Sequence, residues 1–127
     1  MKASEEIRKT RELLMETHWI KGEYEGDAWN ELPDGEQEHL GVGWCIVGAY
    51  GMVVAEDAHK FADYAEYGKL SHLDGLRCIY DATVVNGKAY FASIENWNDS
   101  PRRTFGEVDE LLQTAEKLAL IREEPCL

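Results

Sequence analysis

Cys45 is the side chain in this sequence best suited to covalent chemistry. The glycine-rich run Gly41-Val42-Gly43 precedes it, and the apolar residues that follow suit a buried helix. A thiol at the start of a helix lies at the positive end of the helix dipole, where the thiolate is favoured, and glycines leave room for a substrate. The partners of such a nucleophile would come later in the chain: His59, His72, Asn98 and Asp99. Their order matches that of the papain-like Cys–His–Asn enzymes.

Burial in an apolar segment is the competing interpretation of Cys45. Residues 44–55 are almost wholly apolar, and a cysteine buried among such residues behaves as an inert hydrophobic side chain. Chains of this size commonly contain a histidine and an asparagine somewhere after a cysteine, so this order of residues does not identify an enzyme. We therefore expect a non-enzymatic protein, with a cysteine-dependent hydrolase or transferase centred on Cys45 as an alternative.

Histidines and carboxylates in the middle of the chain raise the question of a metal site. His59 and Asp63 are four residues apart and would share one face of a helix, and His72 and Asp74 follow. These spacings match no recognised set of metal ligands, and such pairs arise by chance on solvated helices. The sequence therefore predicts no metal site and no cofactor.

Negative charge is concentrated in the segment between Gly22 and His59. The chain holds 25 acidic residues against 13 Lys and Arg, which gives a formal charge of −12. The segment contains no Lys or Arg, and its acidic residues are Glu23, Glu25, Asp27, Glu31, Asp34, Glu36, Glu38, Glu56 and Asp57. Such a segment commonly serves only solubility. The alternative is a docking surface that attracts a basic partner by electrostatic steering.

Trp29 lies among these acidic residues. An exposed tryptophan would anchor a partner, whereas a buried one would attach the segment to the core. The predicted binding residues are Glu23, Glu25, Asp27, Trp29, Glu31, Asp34, Glu36 and Glu38. The predicted partner is a basic protein surface, because so acidic a chain would repel the phosphates of nucleic acid and the headgroups of an anionic membrane.

Helices are predicted to supply most of the framework around these residues. The predicted helical segments are residues 4–21, 44–55, 57–67 and 104–122. Periodicity does not separate a helix from a buried strand at 44–55, and its length and small residues favour the helix. Thr104 and Glu107 form a capping box at the start of the last helix, whose apolar residues recur at helical spacing.

The strand signal is strongest at residues 77–95. Two stretches rich in β-branched and aromatic residues flank Asn86-Gly87, a dipeptide typical of a type I′ hairpin turn. The edge of that hairpin could pair with a second copy, so a structural homo-oligomer is a further alternative. Residues 22–43 predict an irregular acidic loop. We therefore expect one helix-rich α+β domain over residues 1–127, with a β-hairpin at 77–95 and a C-terminal amphipathic helix.

Several features indicate a cytoplasmic location. No apolar run reaches the roughly 18 residues of a membrane span, and the N-terminus lacks the apolar region of a secretory signal. The three cysteines, Cys45, Cys78 and Cys126, include no C-x-x-C pair. Their number and spacing disfavour both a disulfide framework and a structural zinc site.

Two motifs resemble a family of small bacterial and phage proteins of unknown function. The first is W-C-x-x-G-A, which spans Trp44 to Ala49, and the second is W-N-D-x-x-x-R-T, which spans Trp97 to Thr104. The resemblance implies a cytosolic, helix-rich accessory protein encoded by a phage or prophage, and it assigns no catalytic role to Cys45. Phage accessory proteins commonly bind host factors, so the resemblance favours a basic surface on a host protein as the partner.

Overall fold

A computed structural model describes residues 1–30, 32–33, 35–62 and 74–123. In chain order the elements are α1 (Ala3–Glu16), β1 (Glu25–Trp29), β2 (His39–Trp44), α2 (Ile46–Ala55), α3 (Asp74–Ala82), α4 (Ile94–Asn98) and α5 (Phe105–Glu123). The predicted α+β class and the C-terminal helix are confirmed. Within these ranges, no helix combines the length and apolar character that crossing a membrane requires.

Helices α1, α3 and α5 pack against one another, and α2 packs on α1. The apolar stripe of α5 provides the centre of this core, with Val108, Leu112 and Ala115 fully buried. Its capping box is formed as predicted: Glu107 N donates to Thr104 Oγ1 (3.3 Å), and Thr104 N donates to Glu107 Oε1 (3.0 Å). The helix at 44–55 is also confirmed, as Ile46–Ala55.

The predicted hairpin at 77–95 is wrong. Residues 74–82 form α3, which buries Leu76 and Ile79 against the core, and residues 94–98 form α4. The predicted turn at Asn86-Gly87 is confirmed. Val85 and Lys88 exchange two backbone hydrogen bonds around it, and both central residues have positive φ angles. The buried side chains of α3 recur every three to four residues, as on one face of a helix. This packing outweighs the strand preference of the β-branched residues, because strand preference depends on the surroundings.

Three other predicted segments differ from the structure. The predicted irregular loop at 22–43 contains the antiparallel pair β1–β2. Residues 57–62 of the helix predicted at 57–67 form turns, and the remainder of that segment lies outside the described residues. The first helix ends at Glu16 instead of residue 21, and the extended chain after it bonds to the end of β2.

Candidate functional site

The β1–β2 hairpin presents one face to solvent. Glu25, Asp27 and Trp29 alternate along β1, and all three are exposed. Trp29 is 52% exposed, so it does not attach the segment to the core as a buried tryptophan would. Because side chains alternate between the two faces of a strand, these three residues share the outer face.

The inner face of the hairpin is made largely of small residues that allow a close approach. Ala28 is buried, and a Cβ added at Gly43 would lie 2.8 Å from the backbone oxygen of His18 and 2.7 Å from Ile20 Cγ2. The hairpin therefore rests directly on the extended segment 18–20. This packing holds the ribbon in place and leaves its outer face open.

Cross-strand contacts organise the outer face. Asp27 Oδ1 lies 2.9 Å from His39 Nε2, and the His39 ring packs 5.1 Å from the Trp29 ring. Trp44 Nε1 donates a hydrogen bond to Glu25 Oε1 (3.2 Å). These contacts give the acidic and aromatic side chains fixed neighbours on a two-stranded ribbon whose register shifts between Ala28 and Trp29, unlike the loop predicted from the sequence.

The described carboxylates of this region are exposed to solvent. Five of the predicted binding acids are described and all are exposed: Glu23, Glu25, Asp27, Glu36 and Glu38. Glu31 and Asp34 lie outside the described residues. Among the described part of the chain, no Lys or Arg forms an ion pair with any of the five. Within the described residues, the negative charge of this region is therefore not cancelled by ion pairs with Lys or Arg.

Apolar side chains accompany this charge. Leu32, Leu40 and Val42 of the hairpin region are each between 43% and 49% exposed. Trp29 and Leu40 also line a groove of about 410 Å³ that runs beneath the hairpin towards α1 and the start of α5. Exposed apolar side chains that are rimmed by polar residues are typical of protein interaction sites.

Cys45 occupies the predicted helix start, and its side chain is buried there. It is the N-cap of α2, where its sulfur accepts a hydrogen bond from Gly48 N at 3.3 Å. The side chain is buried, and this burial raises the pKa of the thiol to about 12, outweighing the bonds that favour the thiolate. The helix terminus therefore stabilises a neutral capping group here.

The surroundings of the Cys45 sulfur also oppose a nucleophile. It borders a cavity of about 110 Å³ lined by carboxylates: Glu23, Glu95 and Asp99. The negative charges of Glu95 and Asp99 raise the pKa of Cys45 further. No described histidine hydrogen-bonds the sulfur. His59 is exposed and packs edge-on against Tyr24, with ring centroids 5.7 Å apart, and His72 lies outside the described residues.

Asn98 is a buried structural junction. Its Oδ1 accepts hydrogen bonds from Trp19 Nε1 (2.7 Å) and Ile46 N (3.1 Å). Its Nδ2 donates to Ile20 O (3.1 Å) and Asp99 Oδ1 (2.9 Å). The amide thus joins α4 to the start of α2 and to the segment that supports the hairpin. These bonds account for its polar groups without a catalytic role.

The metal-ligand grouping is not assembled by the described residues. Asp63 and His72 lie outside the described residues. His59 lies in the turns that follow α2, and Asp74 is the first residue of α3. No group of three or more His, Cys, Asp or Glu side chains among the described residues is arranged to hold a metal ion.

Thiol labelling tests this account of Cys45. We expect Cys45 in the folded protein to react with a maleimide at least about 100-fold more slowly than glutathione at pH 8, because little thiolate is present and access is blocked. Mass spectrometry of the peptide that carries Cys45 gives the rate, and unfolding in urea should restore fast labelling. Labelling of the folded protein at the glutathione rate would contradict the burial.

His39, Leu40 and Val42 also belong to the exposed surface and were not predicted from the sequence. The signal was the alternation of Glu25, Asp27 and Trp29 with small residues, which is a strand pattern inside a glycine-rich segment. Glycine content hid it, because glycine usually indicates a loop.

Comparison with known proteins places the chain in one family. Residues 1–118 match DUF6197, which is described as a family of unknown function, in agreement with the resemblance drawn from the sequence motifs. No curated protein and no solved structure matches the chain. Since the match covers nearly the whole sequence, the chain belongs to the DUF6197 family.

Proposed function

We propose that this is a non-enzymatic binding protein that docks a basic protein surface on the outer face of the β1–β2 hairpin. The observation that carries the proposal is the set of exposed carboxylates around the exposed Trp29, none of which is paired with a described Lys or Arg. The buried, capping state of Cys45 gives the hydrolase alternative no comparable support.

The two kinds of side chain on this face have different roles. Carboxylates attract a basic partner from a distance and orient it, which increases the association rate and makes it sensitive to salt. Trp29 supplies a large apolar surface with few rotatable bonds, which slows dissociation. Its contact with His39 limits the movement of the indole before a partner arrives.

Charge neutralisation at matched positions tests the proposal. A labelled lysine-rich peptide with one central tryptophan serves as the probe, and its affinity is measured by fluorescence anisotropy at low and at physiological salt. The triple variant Glu25→Gln, Asp27→Asn, Glu38→Gln should bind about tenfold more weakly at low salt and show a shallower salt dependence. Trp29→Ala should weaken binding at both salt concentrations.

A second triple variant separates a local site from net charge. Glu12→Gln, Glu16→Gln, Glu110→Gln removes the same charge from exposed positions of α1 and α5. We expect this control to bind the peptide within about twofold of the unmodified protein. Equal losses in the two triple variants would mean that only the overall charge of the chain matters, and the proposed docking face would be rejected.

A further inference from the structure

Hydrogen bonds at the base of the hairpin show which way its backbone groups point. Trp44 N donates to His18 O (3.0 Å), and Ile20 N donates to Trp44 O (3.1 Å). Trp44 therefore directs its backbone groups towards the segment 18–20 and away from Glu25, its partner in β1. The pair formed by Trp44 and Glu25 is a non-hydrogen-bonded pair of the antiparallel ladder.

The hydrogen bonds at the tip of the hairpin indicate the same alternation of bonded and non-bonded residues along β1. Asn30 N donates to Glu38 O (3.1 Å), and Glu38 N donates to Asn30 Oδ1 (2.9 Å), so the Asn30 backbone faces β2 and that of the preceding residue, Trp29, faces away from it. The register shift between Ala28 and Trp29 places its extra residue, Leu40, in β2, so the alternation along β1 is not interrupted. Bonded and non-bonded pairs alternate along an antiparallel ladder. Counting from either end, the backbone N–H and C=O groups of Glu25, Asp27 and Trp29 all point outward from the free edge of β1.

This edge carries backbone groups that no described part of the chain uses. Apart from the β1–β2 ladder itself, no backbone or side-chain hydrogen bond from a described residue reaches the N–H or C=O of Glu25, Asp27 or Trp29. The opposite edge of the sheet is covered at Trp44 by the segment 18–20. An exposed strand edge is a template for a further strand unless the protein discourages pairing.

The charge of the edge selects what can pair with it. In an antiparallel pair between two copies of the chain, Glu25 and Asp27 of one copy would face acidic residues of the other, and like charges directly opposite are destabilising. Each copy also carries a formal charge of −12, which adds repulsion. An extended segment with Lys or Arg at alternate positions meets the same carboxylates with opposite charge.

We infer that the partner binds by strand addition: an extended, basic segment pairs with the free edge of β1. Its cations lie beside Glu25 and Asp27, and an apolar side chain of the same strand face packs on Trp29. Main-chain hydrogen bonds then contribute affinity while the side chains of alternate residues provide selectivity. This inference rests on the proposed function, because it specifies how the basic partner reaches the same face.

Backbone methylation of a probe peptide tests strand addition. The parent probe is a short, end-blocked peptide of alternating lysine and valine, with tryptophan in place of the last lysine. In one derivative the backbone nitrogens of the lysines and the tryptophan are methylated, and in the other the backbone nitrogens of the valines are methylated. The two derivatives have the same charge and side chains, and they differ in which strand edge has lost its amide donors.

Strand addition predicts that one derivative loses at least about tenfold in affinity and the other stays within about threefold of the parent, since only one set of amides faces β1. Equal affinities of the two derivatives, whether both strong or both weak, would overturn strand addition. In that case the proposed function stands if the parent peptide still distinguishes the hairpin variant from its matched control. Failure of the parent to bind the unmodified protein would overturn both.

Discussion

Asn98→Ala is expected to lower the free energy of unfolding by about 4 kcal/mol. The substitution removes the acceptor of the Trp19 indole and of Ile46 N, and the donor to Ile20 O. Asn98 is fully buried, so water does not replace these partners without opening the core. A buried polar group left without a partner costs about 1–3 kcal/mol, and several are left at once.

Urea denaturation followed by tryptophan fluorescence measures this loss. Asn96→Ala is the matched control, because Asn96 lies on the same helix with its side chain exposed. We expect the control to change stability by no more than about 0.5 kcal/mol. A similar small change in Asn98→Ala would show that the buried amide does not hold α4, α2 and the segment 18–20 together.

The elements that could be predicted from the sequence are those whose signals are local. Thr104 and Glu107 are three residues apart, and their side chains satisfy each other's backbone amides at that spacing in any setting. The helix after Cys45 follows from a long apolar run with small residues. The Asn86-Gly87 turn is correct for the same reason, since both residues tolerate positive φ.

The strands could not be placed because their causes are distant in sequence. Residues 77–85 contain enough β-branched and aromatic residues to suggest a strand, yet residues 74–82 form α3, which packs on α5 and buries Leu76 and Ile79 in the core. β2 contains a glycine at position 43 because Ile20 and the His18 carbonyl leave no room there for a side chain. Neither contact is visible in a local window of sequence.

The sequence predicted the negative charge of the candidate site but not the strand geometry that arranges its side chains. Composition alone identifies the acidic residues and singles out Trp29, but it does not show that Glu25 and Asp27 alternate with small residues on a free strand edge. For Cys45 the sequence left a reactive thiol and a buried thiol as alternatives. The helix start is predicted correctly, and the burial that raises the pKa of the thiol depends on packing from the rest of the chain.

Gly48→Ala should destabilise the fold although alanine is the better helix former. Gly48 lies in the first turn of α2, where a Cβ would come 1.9 Å from the backbone oxygen and 2.7 Å from the carbonyl carbon of Tyr24. Backbone atoms do not rotate out of the way as a flexible side chain does, so α2 or the base of the hairpin must shift. Overpacking of this kind costs about 3 kcal/mol, more than the helix propensity returns.

Gly106→Ala provides the comparison, because its Cβ would meet only Thr104 Oγ1 at 3.8 Å. This variant should gain about 0.5 kcal/mol, so the two glycine substitutions are expected to have opposite signs in urea denaturation. Tyr24 directly precedes β1, so the displacement caused by Gly48→Ala also reaches the proposed binding edge. Binding of the lysine–valine peptide should therefore weaken in Gly48→Ala and stay unchanged in Gly106→Ala. Unchanged stability in Gly48→Ala would contradict the close contact between α2 and the hairpin.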